Sequence, residues 1–499
     1  MQNPLLRKAA IALLLVLGTM LSAKESKISI LYINDALGKI EEDASAMEAG
    51  FSKLASYKDS IKDSEVLLIN PGNTLHGKPI SSISLGKVPL LVMNSMGFTA
   101  FVPNTHDFAY GYLHLVNLSS EANFPFLSAN IARDDGNKDF APYLLKEVGK
   151  VKIGIIGLSS NRLLHIMAPK NISGMHFIDS LESAKAAAKE LKSKGANFII
   201  LVSHLGSGLE ALDATQLAQG LPNIDLIIDS HGKEAREEKV GDTLIVQSAC
   251  CMNGAGRVDL VFKGKKLKSM SAKNIPYQEL AALPQNPRID RIIHRYDEIY
   301  NKPIIGQIVG ENLSRLEGSR EIIRTQETNL GSLCADLMLA AAKPVGAELA
   351  LINAGAIKNS IEPGKVNMAK LLDVFPFQDV IVAIQVSGAD IKAALNHAAS
   401  KYPKPFGGFL QVAGLSFTLD IKDEQRVKDV LIAGKPLELE ANYVLATNDF
   451  LAEGGDGFSM LAEKPFLGTF GSLAEEIGAY FLQNKSLDAK VKERIKIVE

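Results

Sequence analysis

The chain has 499 residues, is 46% hydrophobic and carries a formal net charge of −2. That length exceeds what one hydrophobic core usually spans, so two domains are expected, and the composition excludes a disordered chain. With acids and bases nearly balanced and no basic block, a nucleic-acid duplex or an anionic membrane surface is excluded as a main partner.

At the N-terminus, Arg7 and Lys8 precede the apolar run Ala9 to Leu21 and the small residues Ser22-Ala23. This is the layout of a secretory signal (residues 1–23) cleaved near Ala23, because the run is shorter than the ~20 residues a membrane span needs. A periplasmic or secreted mature protein, with no membrane attachment after cleavage, is expected. Cys250, Cys251 and Cys334 are too few for a disulfide framework and are expected to be small, buried apolar residues.

From Ser26 to about Ile275, short β-branched runs alternate with helical stretches such as 181–192, which predicts an α/β layered domain. Five of the runs stop at polar residues. Ile28 to Ile33 meets Asn34-Asp35, and Val66 to Ile69 meets Asn70-Pro71-Gly72-Asn73. Ala100 to Val102 meets Thr105-His106-Asp107, Phe198 to Val202 meets Ser203-His204, and Leu226 to Ile228 meets Asp229-Ser230-His231-Gly232-Lys233. Carboxylates, amides and imidazoles at neighbouring strand ends are the residue types that assemble a metal centre on one sheet edge. Residues 72–78 meet a phosphate-loop pattern as far as Lys78, but Pro79 replaces the required hydroxyl, which excludes a nucleoside-triphosphatase loop. Residues 24–283 are thus expected to form the first domain, 284–303 a linker helix, and 304–499 a second α/β domain. That domain should have helices near 329–342 and 387–400 and strands near 349–352, 415–419 and 443–446.

The chain resembles the 5'-nucleotidase family over nearly all of its mature length. The resemblance is carried by Ile33-Asn34-Asp35, Gly72-Asn73, His106-Asp107-Phe108, Phe124 to Ile131, Ile155 to Leu158 and His204-Leu205-Gly206. Glu327 to Gly331, Pro376-Phe377, Phe409 to Val412 and Gly454 to Phe458 carry it in the second half. It implies a four-layer calcineurin-like metallophosphoesterase sandwich, a linker helix and an α/β 5'-nucleotidase C-terminal domain. The family reaction is hydrolysis of nucleotide 5'-phosphate esters by a metal-bound hydroxide on two cations.

Transferred residue by residue, the resemblance places the first metal at Asp35, Leu37, Asn73 and Lys233, and the second at Asn73, Thr105, His204 and His231. Leucine cannot ligate, lysine repels a cation, and a bridging amide lacks the charge that holds two dications. At most one zinc or manganese ion is therefore expected. His106 and Asp107 match the catalytic pair. In the second domain Phe409 and Phe458 are implied as a nucleobase sandwich, with Asn353, Gly355, Lys358 and Asp456 as further substrate contacts. An arginine expected just before Glu327 is absent, with Gln326 in its place. Three readings follow: a binder of a nucleotide or nucleoside with impaired hydrolysis, an active mononuclear phosphoesterase, and a hydrolase of a non-nucleotide ester.

Overall fold

A computed structural model describes residues 25–161, 171–205, 213–376, 379–423 and 426–498. The expected signal segment, Gly206 and Phe377 lie outside these. Among the described residues the chain divides into two compact units, one within 25–161 and 173–295, the other within 171–172 and 296–498.

Two sheets form the first unit. One has the order Lys266–Pro276, Gly254–Lys263, Glu25–Tyr32, Glu65–Asn70, Ala100–Phe101, the last three mutually parallel. The other runs Arg236–Val240, Thr243–Gln247, Leu226–Asp229, Phe198–Ser203, Val151–Leu158, Tyr143–Val148, with its middle four strands parallel. Period-2 alternation builds the layers. Phe198, Ile200 and Val202 enter the core between the sheets with Ile28, Ile30 and Ile69, while Ile199 and Leu201 face outward onto Ala184, Ala187 and Leu191. Those three belong to the helix Ser180–Ser193, whose start is fixed by Asp179 accepting the Glu182 amide at 2.7 Å. Gly195, at φ +84°, turns the chain away two residues past its end, as the sequence predicts.

Pro79 does not disturb the helix that begins there. It occupies the first position of the short helix Pro79–Ile83, where a missing N–H costs nothing. The reason for excluding a phosphate loop is therefore the absent hydroxyl alone.

The cysteine expectation is corrected in part. Cys334 is buried and free, but Cys250 and Cys251 are only partly buried and are joined to each other by a disulfide.

The helix Pro287–Tyr296 buries Ile289 and Ile293 and continues through Asp297–Asn301 to Lys302–Ile305. The second unit is built on a five-stranded mixed sheet of order Leu410–Ala413, Leu349–Asn353, Asn442–Asn448, Val380–Ser387, Phe466–Ser472. The helices Asn329–Ala342 and Gly388–Ala399 and the strand Leu415–Asp420 lie where the sequence periodicity puts them. Leu330, Cys334, Leu351, Ile352, Ala383 and Ile391 share its core.

Candidate functional site

The first cluster lies beyond the carboxyl ends of the parallel strands, where a strand's last residues must leave the sheet. Asp35, Leu37 and Asn73 all take positive φ, at 42°, 47° and 51°. Their turns are locked together by the Leu37 amide, which donates to the Asn73 carbonyl at 2.6 Å. The buried Asp107 carboxylate accepts four backbone N–H groups, from Asn73 (2.7 Å), Thr74 (2.8 Å), Leu75 (2.9 Å) and Asn104 (2.9 Å). It therefore organises both loops. Burial pushes its carboxyl up to about 6 against the pull of these amides.

Asn73 carries the central contact. Its Oδ1 accepts the His106 backbone N–H at 2.9 Å, which fixes the amide's orientation and sends Nδ2 the other way. Nδ2 then donates to Asp35 Oδ1 at 2.9 Å and lies 3.3 Å from His204 Nε2. For that second contact His204 must be unprotonated at Nε2. Its proton then sits on Nδ1, 2.6 Å from Ser230 Oγ, which in turn donates to the Ser203 carbonyl at 3.3 Å. His204 and His231 meet edge-on with ring centres 5.5 Å apart. Thr105 is buried and opens the 3-10 turn Thr105–Phe108 that carries His106 and Asp107.

This donor set does not fit a pair of metal ions. The two acceptors that would face a cation, Asp35 Oδ1 and His204 Nε2, face an amide NH2 instead. Leu37 offers no donor atom and Lys233 is exposed. Among the described residues, no three His, Cys, Asp or Glu side chains come together as a metal-holding group.

His76 is a member of this cluster that the sequence reading missed. Its ring stacks near-parallel on His106 with centres 6.5 Å apart and tilts against Tyr110 at 5.5 Å. Burial, and then neighbouring His106, push its imidazole down to about 4, so it is neutral at physiological pH. Its place inside the glycine-rich stretch 72–78 was the available signal.

The second cluster lies in the second unit. Asn353, ending its strand, donates to Asp456 Oδ2 at 3.1 Å and accepts Asn448 Nδ2 at 3.0 Å; Asn448 also donates to Asp379 at 2.9 Å. A side chain on Gly355 would press on Asn353 Nδ2 at 3.0 Å and approach Asp456 Oδ2 at 3.5 Å, so glycine keeps this floor open. Lys358 is held below the usual lysine range by burial and then by Arg324 and Arg320. Arg324 is itself depressed by burial and by Arg320, and its buried Nε finds no hydrogen-bond partner among the described residues.

Although Gln326 stands where the resemblance implies an arginine, the turn Arg320–Ile323 places Arg320 and Arg324 beside Lys358, and Gln326 gives its carbonyl to Gln411 Nε2 at 2.8 Å. One sequence reading is corrected here. Phe409 and Phe458 do not form an open sandwich, since Phe409 is 3% and Phe458 0% exposed, both within the core. The chain reverses at Asp456 (φ 51°) and Gly457 (φ 87°), which turns Phe458 inward under His397, ring centres 4.7 Å apart. Among the described residues, Phe450, 39% exposed, and partly exposed Phe406, which lies against His397 at 5.7 Å, keep accessible aromatic faces.

A profile described as "5'-nucleotidase, C-terminal domain" matches residues 304–463. The chain is 28% identical to a 5'-nucleotidase of Vibrio cholerae over 516 residues, 93% of this chain and 92% of that one. It is 27% identical to protein UshA of Escherichia coli over 521 residues, covering 94% and 93%. The crystal structure of a 5'-nucleotidase precursor from Thermus thermophilus superposes with a TM-score of 0.59 at 27% identity, covering 95% of this chain and all of that one. The chain is thus similar to 5'-nucleotidases over more than nine-tenths of its length, in sequence and in fold. It shares the α/β fold of that structure and matches the C-terminal domain over residues 304–463, with Leu37, Asn73 and Lys233 at three of the positions where the family resemblance implies metal ligands.

Proposed function

We propose that this chain is an exported protein that binds a nucleoside 5'-phosphate through its second unit and hydrolyses it far more slowly than a dinuclear member of its family. The observation that carries the reading is the cationic group Arg320, Arg324 and Lys358 grouped around Asp456 and Asn353. Burial and then the two guanidiniums depress Lys358, burial and then Arg320 depress Arg324, and the buried Arg324 Nε has no partner among the described residues, a cost that an anionic oxygen would offset. Phe450 and Phe406 supply faces on which a base can stack, worth ~1 to 3 kcal/mol each. In the first unit, the Asn73 amide bonded to Asp35 and set against His204 supports weak or absent hydrolysis, because it puts a hydrogen-bond donor where a cation is required.

The secretory layout of residues 1–23 supports a periplasmic or secreted location. Among the described residues no helix is long and apolar enough to cross a membrane.

Calorimetric titration of the mature protein with AMP and adenosine, run beside a phosphate-release assay, tests this. AMP is expected to bind more tightly than adenosine, with phosphate release near background. Equal affinities would remove the phosphate-binding role of the cationic group, and rapid release would remove the attenuated hydrolysis.

A further inference from the structure

Outside both clusters' side chains, the bonded pair Cys250–Cys251 makes backbone contacts with two site loops at once. The Cys250 amide donates to the Lys233 carbonyl at 3.0 Å, on the loop that carries His231. The Cys251 amide donates to the carbonyls of Asn34 (3.1 Å) and Asp35 (3.0 Å), on the loop that carries the cluster's carboxylate. Beside it, Asn34 Nδ2 reaches the Gly232 carbonyl at 2.7 Å and the Ser248 carbonyl at 3.1 Å, closing the same junction.

The turn itself is of a kind that residues with a Cβ resist. Cys251 and Met252 take φ of 64° and 61° in succession, in the left-handed region that costs a non-glycine residue of the order of 1 kcal/mol or more. Met252 is fully buried and its carbonyl accepts the Ala49 amide at 2.9 Å, so the turn is anchored on its far side. A ring closed between adjacent residues leaves the backbone between them few conformations, and opening that ring returns the freedom. Both cysteines are partly exposed, whereas Cys334 is fully buried in the other unit, and exposure is what an attacking thiolate requires.

We propose that Cys250–Cys251 is a thiol–disulfide exchange site, taking a dithiol reductant as its co-reactant, and that its redox state sets how tightly the Asp35 and His231–Lys233 loops are held together. One thiolate of the dithiol attacks one of the two sulfurs, giving a mixed disulfide and releasing the other as a thiol. The second thiol of the reagent then displaces the first cysteine. The Cys250–Cys251 bond breaks, each cysteine sulfur gains one proton and one electron, and the dithiol leaves as its own disulfide. The bonded state is the clamped one.

The test uses the full mature chain, oxidised as purified, with dithiothreitol as the reductant and iodoacetamide as the thiol probe under non-denaturing conditions. No alkylation of Cys250 or Cys251 is expected before reduction. After it, both residues of the 250–251 peptide are expected to carry the label while Cys334 stays unlabelled. In parallel, hydrogen exchange of the Cys250 and Cys251 amides is expected to rise about tenfold or more on reduction, since their partners are no longer held in place. Alkylation of either residue before reduction overturns the proposal, and so does reduction that leaves exchange at these amides unchanged. Cys250→Ser,Cys251→Ser is expected to show the reduced-state exchange of both loops with and without dithiothreitol. Should that variant not fold, the wild-type comparison decides alone.

Discussion

The Asn73 amide donates to the Asp35 carboxylate at 2.9 Å, with its own carbonyl pinned by the His106 backbone N–H at 2.9 Å. An aspartate at 73 would place a second negative oxygen near Asp35 and His204, where the present residue places hydrogens. One amide thus meets Asp35 Oδ1 with a hydrogen-bond donor at the place where an aspartate would add negative charge.

Asn73→Asp is therefore expected to gain affinity for zinc or manganese, since it restores a charged donor and removes the donor hydrogens. Elemental analysis after dialysis should show the wild type with fewer than two ions per chain and the variant with more than the wild type. Two tightly held equivalents on the wild type would refute the reading of Leu37, Asn73 and Lys233.

Arg324→Ala should weaken AMP binding by about tenfold or more, as loss of a charge-assisted contact to an anion commonly costs ~1.5 to 3 kcal/mol. Adenosine binding should change little. If titration shows both ligands weakened alike, Arg324 acts on the fold or the base and not on the phosphate.

Phe458→Ala and Phe450→Ala should separate stability from binding. Phe458 is fully buried in the core, so truncation is expected to cost ~3 to 5 kcal/mol in denaturant unfolding. Phe450 is 39% exposed, and its truncation should leave stability nearly unchanged while lowering nucleoside affinity. A Phe450→Ala protein that binds adenosine as the wild type does would leave Phe450 without a role in base stacking.

Burial raises the Asp379 carboxyl to about 6, against the hydrogen bond from Asn448, and its buried neighbour Asp449 is raised as well. With the folded value above the ordinary carboxylate range, the contribution of this group is fully present below about pH 4 and is lost as pH rises through about 6. Asp379→Asn escapes that loss. It is expected to match the wild type near pH 4 and to exceed it in stability above pH 6, by about 1 kcal/mol or more. Chemical unfolding of both proteins across this range gives the comparison. A difference that stays flat with pH would mean Asp379 does not titrate there.

Much of this protein was legible in its sequence because strands and helices bury side chains with fixed periods. The alternation in Phe198 to Val202, the helix closed by Gly195 and the polar stops at Asp35, Asn73, His106, His204 and His231 follow from local rules, and the family resemblance follows from short motifs. What the sequence could not supply was direction. Whether the Asn73 amide shows its oxygen or its nitrogen to Asp35 depends on the His106 backbone, 33 residues away. Phe458 turns inward because of a reversal at Asp456 and Gly457, and Arg324 lies beside Lys358 because a single helical turn, Arg320–Ile323, swings it there. Cys250 and Cys251 are neighbours in any conformation, yet only the folded turn brings their amides to the carbonyls of Asp35 and Lys233. Sequence fixes which groups are available along the chain; the orientation of an amide, a ring or a guanidinium is decided by partners distant in sequence, whose approach only the packed tertiary structure provides.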